Sequence, residues 1–361
     1  MTRREFAALG LAPLARPAPV APVALARCRS YGDDVAAALS TMFDQLGGLS
    51  RLVKGRTVTV KLNLTGSPGQ RFQGKPVGVT HYVHPKVVGA AAHLMGRAGA
   101  RRIRLVESAW ATSGPLEEYL LDAGWNVRAL SAAASGVEFE NTNALGKGKR
   151  YSRLMPPGGG SIFPAYDLNH AYEDTDVFVS LAKLKEHGTC GVTLSLKNCF
   201  GNTPASIYGD DAGRDEPNEN PAKGRVEVMH LGRRGPSRSA PQERDPASSR
   251  EPGYRVPRVT VDLVAARPVD LAIIDGIESV SGGEGPWIEG LRLVQPGLLI
   301  AGLNPVCTDA VGTAAIGFNP RAPRGTAPFR NCDNTLLLAE AAGIGSAELA
   351  LIPTRGLKLP I

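Results

Sequence analysis

Short runs of apolar residues alternate along the chain with longer amphipathic segments, and this pattern predicts most of the secondary structure. The predicted strands cover residues 57–64, 102–107, 126–130, 176–184, 271–274 and 297–303. A helix is predicted near Asp34, and further helices cover residues 85–97, 115–123, 256–266, 306–316 and 335–342. Strands that alternate with helices in this way indicate an α/β fold, with a mainly parallel sheet flanked by helices in three layers. The alternation continues to the end of the chain and predicts one domain over residues 27–361.

The apolar run from Val177 to Ala182 predicts a strand that is buried on both faces. Lys183, Lys185 and His187 follow it directly, and Lys197 comes after a turn that contains glycine. In open α/β sheets, ligands bind beyond the carboxyl ends of the strands. We therefore expect these four side chains to surround one concave pocket that is suited to an anion.

Residues 203–254 interrupt this pattern with seven prolines, mixed charges and little apolar content. Such a composition predicts a segment that cannot form a core of its own. A long loop inside a compact domain is usually a lid, a partner-binding segment or disordered. We expect residues 202–220 to form a partly ordered lid beside the lysine turn, and residues 233–250 to form a solvated linker.

Composition and charge restrict the classes of function. The chain has 361 residues, 43% hydrophobic content, 6% aromatic content and a net charge of +7 that is spread along its length. No basic stripe is interleaved with aromatic residues, which argues against nucleic-acid binding, whereas a modest basic balance suits a small anionic ligand. No stretch after the N-terminus reaches the ~20 apolar residues of a membrane helix, so no integral membrane segment is predicted.

The cysteines and the familiar catalytic motifs give mostly negative information. The five cysteines have no C-x-x-C spacing, which argues against an iron–sulfur cluster or a structural zinc site. The sequence has no phosphate-binding GxxxxGK[ST], no GxGxxG after a strand, no HExxH and no GxSxG. The identity of any cofactor therefore stays open.

The N-terminus resembles an export signal. Arg3-Arg4 and Phe6 precede a weakly apolar run, and Ala24-Leu25-Ala26 supplies an A-x-A cleavage pattern, as in twin-arginine signals. This interpretation predicts recognition by the twin-arginine export machinery, a periplasmic location, and a signal over residues 1–26 that packs against nothing. The alternative is a cytoplasmic chain with a tail rich in alanine and proline.

Three carboxylates follow predicted strands or begin a helix, and they are candidates for a divalent metal site: Asp275, Glu284 and Asp309. Mg²⁺ and Ca²⁺ prefer such hard oxygen ligands. Neutralisation by the neighbouring lysines would explain the same carboxylates without an ion. Both interpretations remain open at this point.

The segment LAKLKEHGTCGVTLSLKNCFGN resembles the central motif of a bacterial and archaeal family known as domain of unknown function 362. VKLN at 60–63, IIDGI at 273–277, GEGP at 283–286 and NPVCTDAVG at 304–312 strengthen the resemblance, which covers residues 57–317. The resemblance implies a fold and a set of site positions but no assigned reaction. Some relatives append ferredoxin-type cysteine clusters, and this chain has none. The positions that match the family motifs are Lys61, Asn63, Lys183, Lys185, His187, Lys197, Asn198, Asp275, Glu284 and Asp309.

These observations leave three functional hypotheses open. In the first, the protein binds a small anionic molecule and acts on it by acid–base chemistry, with His187, Lys185 and Lys197 as catalytic groups. Lys61, Asn63, Lys183, Asn198, Asp275, Glu284 and Asp309 would then bind the ligand. The second hypothesis is a periplasmic binding or cofactor-handling protein that uses the same pocket. The third is an interaction protein that uses the proline-rich insertion.

Overall fold

The computed structural model describes residues 17–213 and 220–358, and its centre is an eight-stranded sheet. The strands of the described chain are β1 Val23–Arg27, β2 Thr57–Lys61, β3 Arg102–Glu107, β4 Val137–Asn141, β5 Ser152–Leu154, β6 Tyr166–Leu168, β7 Val177–Lys183, β8 Lys185–His187, β9 Gly191–Thr193, β10 Leu271–Gly276, β11 Ser279–Ser281, β12 Arg292–Val294, β13 Leu298–Gly302 and β14 Thr354–Gly356. The sheet order is β14-β1-β13-β10-β7-β2-β3-β4. Only β13 runs antiparallel to its neighbours in this sheet.

Helices cover both faces of the sheet and complete three layers. The α-helices of the described chain are α1 Val35–Gln45, α2 Ser50–Val53, α3 Pro85–Arg97, α4 Leu116–Asp122, α5 Val127–Ser131, α6 Ser195–Asn198, α7 Ala205–Tyr208, α8 Pro252–Ala266, α9 Pro305–Ala315 and α10 Thr335–Ala341. Short 3₁₀ turns lie at Val77–Val79, His170–Tyr172, Cys199–Asn202 and Leu349–Leu351, and a π turn lies at Val226–His230.

The two faces of the sheet belong to two separate hydrophobic clusters. One cluster joins α1, α3, α4 and α5 to the sheet, and the other joins α8, α9 and α10 to it. Side chains alternate between the clusters along each strand, so Val177 and Val179 belong to the first and Phe178 belongs to the second. These observations confirm the predicted three-layer α/β fold with its mainly parallel sheet.

One predicted strand is wrong. Residues 127–130 form most of helix α5, and the next strand of the sheet, β4, begins seven residues after Leu130. The side chain of Asn126 accepts a hydrogen bond from the backbone of Ala129, which caps the helix. Val127 and Leu130 are three residues apart, and they pack against the cluster around α3. The cap and this spacing favour a helix over an extended strand.

The insertion packs more closely on the body of the protein than its composition predicts. Ile207 and Tyr208 of α7, and Val228 and Met229 of the π turn, are buried in one of the two main clusters. Ser237 is also buried, within the segment that was expected to be solvated linker. The few apolar side chains of residues 203–254 therefore use the main core instead of forming a core of their own.

The expectation that residues 1–26 pack against nothing is wrong for their C-terminal part. Strand β1 lies between β13 and β14 in the central sheet, and Val23 and Ala24 are fully buried. The A-x-A pattern at 24–26 therefore lies inside a core strand. Arg3 and Arg4, on which the export interpretation rests, lie outside the described residues.

Two further findings concern the whole described chain. In residues 17–213 and 220–358, none of the helices combines the length and the apolar character that crossing a membrane requires. The five cysteines, Cys28, Cys190, Cys199, Cys307 and Cys332, are all buried and reduced.

Candidate functional site

A cavity of about 580 Å³ lies at the edge where β2, β3 and β7 end. Its wall is built from the segments that follow β2 and β3, from the hairpin and helix that follow β7, and from two loops nearer the C-terminus. Parallel strands present their carboxyl ends at one edge, which explains why segments so far apart in the sequence meet there. This size is typical of pockets that hold a small organic ligand.

Six of the ten predicted site residues line this cavity, and four do not. The six are Lys61, Asn63, His187, Lys197, Asn198 and Glu284. The four that lie outside its lining are Lys183, Lys185, Asp275 and Asp309. The expectation that Lys183, Lys185, His187 and Lys197 surround one pocket is therefore met by His187 and Lys197 only.

Lys183 is buried in a closed network on the other side of the sheet. Its ammonium lies 3.1 Å from Asp275 Oδ2, and it also donates to Tyr31 Oη at 2.7 Å and to the carbonyl of Gly78 at 2.8 Å. Asp275 accepts further hydrogen bonds from Tyr31 and from the backbone of His84. Burial lowers the pKa of Lys183, and the Asp275 carboxylate opposes this shift. Both charges are neutralised within the network, so neither faces a ligand.

Lys185 is also buried, and it holds two loops together. Its Nζ donates to the carbonyl of His81 at 2.6 Å and to the carbonyl of Glu284 at 2.8 Å. Burial lowers the pKa of Lys185 well below its usual range, which favours the neutral amine. Lys185 therefore supports the loop that carries Glu284 into the cavity but does not contact the cavity itself.

The three candidate metal ligands do not converge. Asp275 belongs to the Lys183 network, and only Glu284 lines the cavity. The Asp309 carboxylate accepts from the backbone of Ser195 and of Leu196, both at 2.8 Å, so it stabilises the start of α6. Across residues 17–213 and 220–358, no three side chains of His, Cys, Asp or Glu form a group that could hold a metal ion. Of the two interpretations of these carboxylates, neutralisation by lysine therefore applies to Asp275, and the three do not form a metal site.

The floor of the cavity holds a buried ion pair. Lys61 Nζ lies 2.6 Å from Glu107 Oε1, and it also donates to the carbonyl of Leu62 at 2.7 Å and to Asn198 Oδ1 at 3.3 Å. Burial lowers the pKa of Lys61 and raises the pKa of Glu107, and each partner opposes the shift of the other. Gly201 makes the close approach of the 3₁₀ turn after α6 feasible, because a Cβ there would lie 2.9 Å from Lys61 Nζ.

Lys197 has no such partner. Its Nζ lies over the ring of Phe200, 4.2 Å from the ring centroid, and within the described chain it has neither a hydrogen-bond acceptor nor an ion-pair partner. Burial is the largest cause that lowers the pKa of Lys197, to about 8, and Arg225 and Lys61 lower it further. Cys190 and the Glu284 carboxylate oppose this shift. At neutral pH the cavity wall therefore carries a charged ammonium that lies against an aromatic face and, among the described residues, has no carboxylate in direct contact.

His187 presents a neutral ring to the cavity. Its Nδ1 accepts a hydrogen bond from the backbone of Thr189 at 3.2 Å, so the hydrogen of the neutral ring is on Nε2. Burial, with Lys197, His230 and Lys185 nearby, lowers the pKa of His187 well below its usual range. This arrangement suits a hydrogen-bond donor to a ligand, whereas the predicted role as a base would need the other tautomer.

Several residues of the site are not among those predicted from the sequence. Arg225 donates to the carbonyl of Thr203 at 2.8 Å and to Ser108, and His230 lies edge-on to Phe200 with ring centroids 5.2 Å apart. Burial lowers the pKa of His230 to about 3. No motif pointed to these two residues, because they lie in the proline-rich insertion. Glu107 could have been found, since it ends a correctly predicted strand.

Glu284 connects two parts of the cavity wall. Its carboxylate accepts from the backbone of Gly188 at 3.0 Å and from the indole of Trp287 at 3.3 Å. The lining thus contains three cations, Lys61, Lys197 and Arg225, and two carboxylates, Glu107 and Glu284. Because Glu107 is paired with Lys61, the remaining charged side chains of the lining have a net positive charge, which favours an anion near Lys197 and Arg225.

Comparisons with known proteins identify the family but no reaction. A family model described as "Domain of unknown function (DUF362)" matches residues 58–314, which contain all ten predicted site residues. The thylakoid-associated protein sll1697 of Synechocystis sp. is 28% identical over 198 residues, or 54% of this chain. The aligned part is 55% of that relative, so the chain spans about half the length of the curated relative that it matches.

Proposed function

Because the chain belongs to the DUF362 family, a domain of unknown function, we propose a function from the geometry of the cavity itself. The protein binds a small anionic molecule at the carboxyl edge of the sheet. Lys197 and Arg225 supply positive charge, while Asn63 and the Nε2–H of His187 supply neutral hydrogen-bond donors. A binding protein and an enzyme would both use this arrangement.

The observation that carries the proposal is the isolated ammonium of Lys197. A cation that is partly withdrawn from water is costly unless an anion or several acceptors neutralise it. Of the fully buried lysines near this edge, Lys61 and Lys183 each have a carboxylate within 3.1 Å, and Lys185 donates to two carbonyls. Lys197 has only the ring of Phe200, and it faces a cavity that is large enough for a ligand. An anionic ligand would supply the missing partner.

Isothermal titration of the full chain with inorganic sulfate and phosphate tests this proposal. We expect saturable binding that weakens at least about tenfold in Lys197→Gln, since a buried charge-assisted hydrogen bond is worth about 1.5–3 kcal/mol. Lys147→Gln is the matched control, because it makes the same charge change on a side chain that is 74% exposed. Equal affinity of the two variants for both anions would contradict the proposal.

Proton transfer is a second candidate function, and one observation favours it. Burial brings the pKa of Lys197 to about 8, which is near the range in which a lysine can act as acid or base. Lys197 is better suited to this role than His187, whose Nδ1 is occupied and whose ring stays neutral. Competitive acylation followed by mass spectrometry would measure the apparent pKa of Lys197. An apparent pKa near the usual lysine value of about 10.4 would remove this candidate.

We also propose that the chain is exported, because Arg3-Arg4 and Phe6 resemble a twin-arginine signal. Cleavage after Ala26 would remove most of β1, so the exported chain should keep Val23. A reporter fused to residues 1–30 should reach the periplasm, and replacement of Arg3 and Arg4 by lysine should stop it. Cytoplasmic retention of the unmodified fusion would contradict export, and a mature chain that begins at Arg27 would contradict the role of β1.

A further inference from the structure

Two tryptophans line the cavity with much of their surface exposed. Trp110 is 42% exposed and Trp287 is 43% exposed, whereas Trp125, the third tryptophan of the chain, is buried at 4%. Large aromatic side chains that are exposed in a pocket contribute apolar area that a ligand can cover. Both tryptophans share the lining with Lys197 and Arg225.

Trp287 is held in a fixed orientation. Its indole N–H donates to Glu284, and the ring of His81 meets it edge-on with centroids 5.8 Å apart. Gly66 and Gly285 lie against the benzo edge of the indole, where a Cβ at either position would overlap the ring. The hydroxyls of Tyr82 and Tyr119 both donate to the carbonyl of Gly66 and fix its position. The indole is thus positioned before any ligand arrives.

Trp110 is carried by a loop that is also constrained. The amide of Asn143 donates to the carbonyls of Ala109 and Thr112, on either side of Trp110, at 2.7 and 2.8 Å. Ala111, the next residue, has a φ of 58°, a left-handed conformation that is uncommon for a residue other than glycine. A backbone held in this way presents the indole at low entropic cost.

From this arrangement we infer that the anionic ligand carries a planar aromatic or heteroaromatic ring, which stacks on Trp287 or Trp110 while its acidic group meets Lys197. The inference rests on the proposed function and names the chemical class of the ligand. A fixed indole face favours a flat ring, because stacking needs close contact over the whole ring and an aliphatic group offers less of it. The faces of neutral His187 and His230 add further aromatic surface to the same lining.

Two pairs of anions, matched in charge and differing in planarity, test the inference by isothermal titration of the full chain. The first pair is AMP and ribose 5-phosphate, and the second is benzoate and cyclohexanecarboxylate. We expect the planar member of at least one pair to bind at least about fivefold more tightly than its partner. We expect the same planar ligand to quench the tryptophan fluorescence. A planar preference below about twofold in both pairs would overturn the inference.

Variants at position 287 separate stacking from misfolding. Trp287→Phe keeps an aromatic face and should keep most of the planar preference, whereas Trp287→Leu should bring the affinity ratio towards one, with Trp110→Leu tested in parallel. A planar preference that survives in both leucine variants would overturn the inference. If both members of each pair bind with equal affinity, the inference about a planar ring is overturned, but the proposed anion site stands. If none of the four compounds and neither sulfate nor phosphate binds, the proposed function is wrong as well.

Discussion

Two lysines that follow the same buried strand have opposite environments. Lys183, the last residue of β7, donates to Asp275, Tyr31 and the carbonyl of Gly78, and it is completely buried. Lys197 lies on α6, and its ammonium meets only the ring of Phe200 among the described residues. The first lysine belongs to the interior, and the second faces a cavity. A position near a strand end therefore does not by itself make a lysine available to a ligand.

The alternation of side chains along the strands explains why Lys183 and Lys61, each the last residue of its strand, reach opposite sides of the sheet. Lys183 has the same parity as Val179 and Leu181, and it points towards the layer of α1 and α3. Lys61 has the opposite parity to Val60, and it points towards α6 and the cavity. The two sides of the sheet thus receive different lysines: the side of Lys61 meets the cavity, and Lys183 lies in the closed network with Asp275 on the other side.

The largest expected effect is on stability, from the loss of a buried partner. Lys183→Met leaves the Asp275 carboxylate without its counter-ion, and we expect a loss of about 3–5 kcal/mol in the free energy of unfolding, as for other broken buried pairs. Lys197→Met removes a cation that has no partner, so it should not lower the same quantity and should raise it at neutral pH. Guanidinium denaturation measures both. Similar losses in the two variants would remove the distinction between the two lysines.

A smaller effect is expected for the carboxylate that holds α6. Asp309→Asn replaces one of the two oxygens that accept from Ser195 and Leu196 with an NH₂ group, which leaves a buried N–H unpaired. We expect a loss of about 1–3 kcal/mol in the free energy of unfolding. The control is Asp245→Asn, whose carboxylate accepts from Ala247 at the surface and should change stability by about 0.5 kcal/mol or less. If the two variants are equally stable, the structural role of Asp309 is wrong.

The smallest expected effect is the pH dependence of anion affinity. Sulfate is a suitable probe because its own charge stays constant from pH 5 upwards. Sulfate affinity should be flat from pH 5 to 7, because the low pKa values of His187 and His230 keep both rings neutral. It should then fall, by up to about tenfold per pH unit, as the pH rises through about 8, the pKa of Lys197. Titrations at a series of pH values measure this, and a rise in affinity below pH 7 would indicate a protonating histidine.

The lowered pKa of Lys197 also predicts the direction in which the free energy of unfolding changes with pH. The folded state holds the pKa of Lys197 at about 8, below the unfolded value, so the unfolded chain binds more protons between the two values. The contribution of Lys197 to the free energy of unfolding should therefore rise with pH above about 8 and level off above the unfolded pKa of about 10.4. The difference between the wild type and Lys197→Met isolates this contribution. A difference that falls with pH would contradict the assigned direction.

The fold could be predicted to a large extent because the strands of a parallel sheet are short apolar runs. β2, β3, β7 and β10 all fall within or close to the predicted limits. The errors lie where the local hydrophobic pattern is weak, as at α5, or where an apolar strand resembles the cleavage site of a signal, as at β1. The segment around Ala24 has the composition of a cleavage site, yet its pairing with β13 and β14 makes it a core strand.

The sequence determined which side chains lie near the carboxyl edge, because they follow the ends of strands that are recognisable as apolar runs. The motif around His187 also contained much of the cavity lining. Only the tertiary structure decided which lysines are neutralised, because neutralisation depends on residues far away in the chain, such as Asp275 for Lys183 and Glu107 for Lys61. It also brought Arg225, His230 and the two exposed tryptophans to the site from three separate segments of the chain. Hydrogen bonds and burial act over a few ångströms in space, and the distance between two residues along the chain does not reveal them.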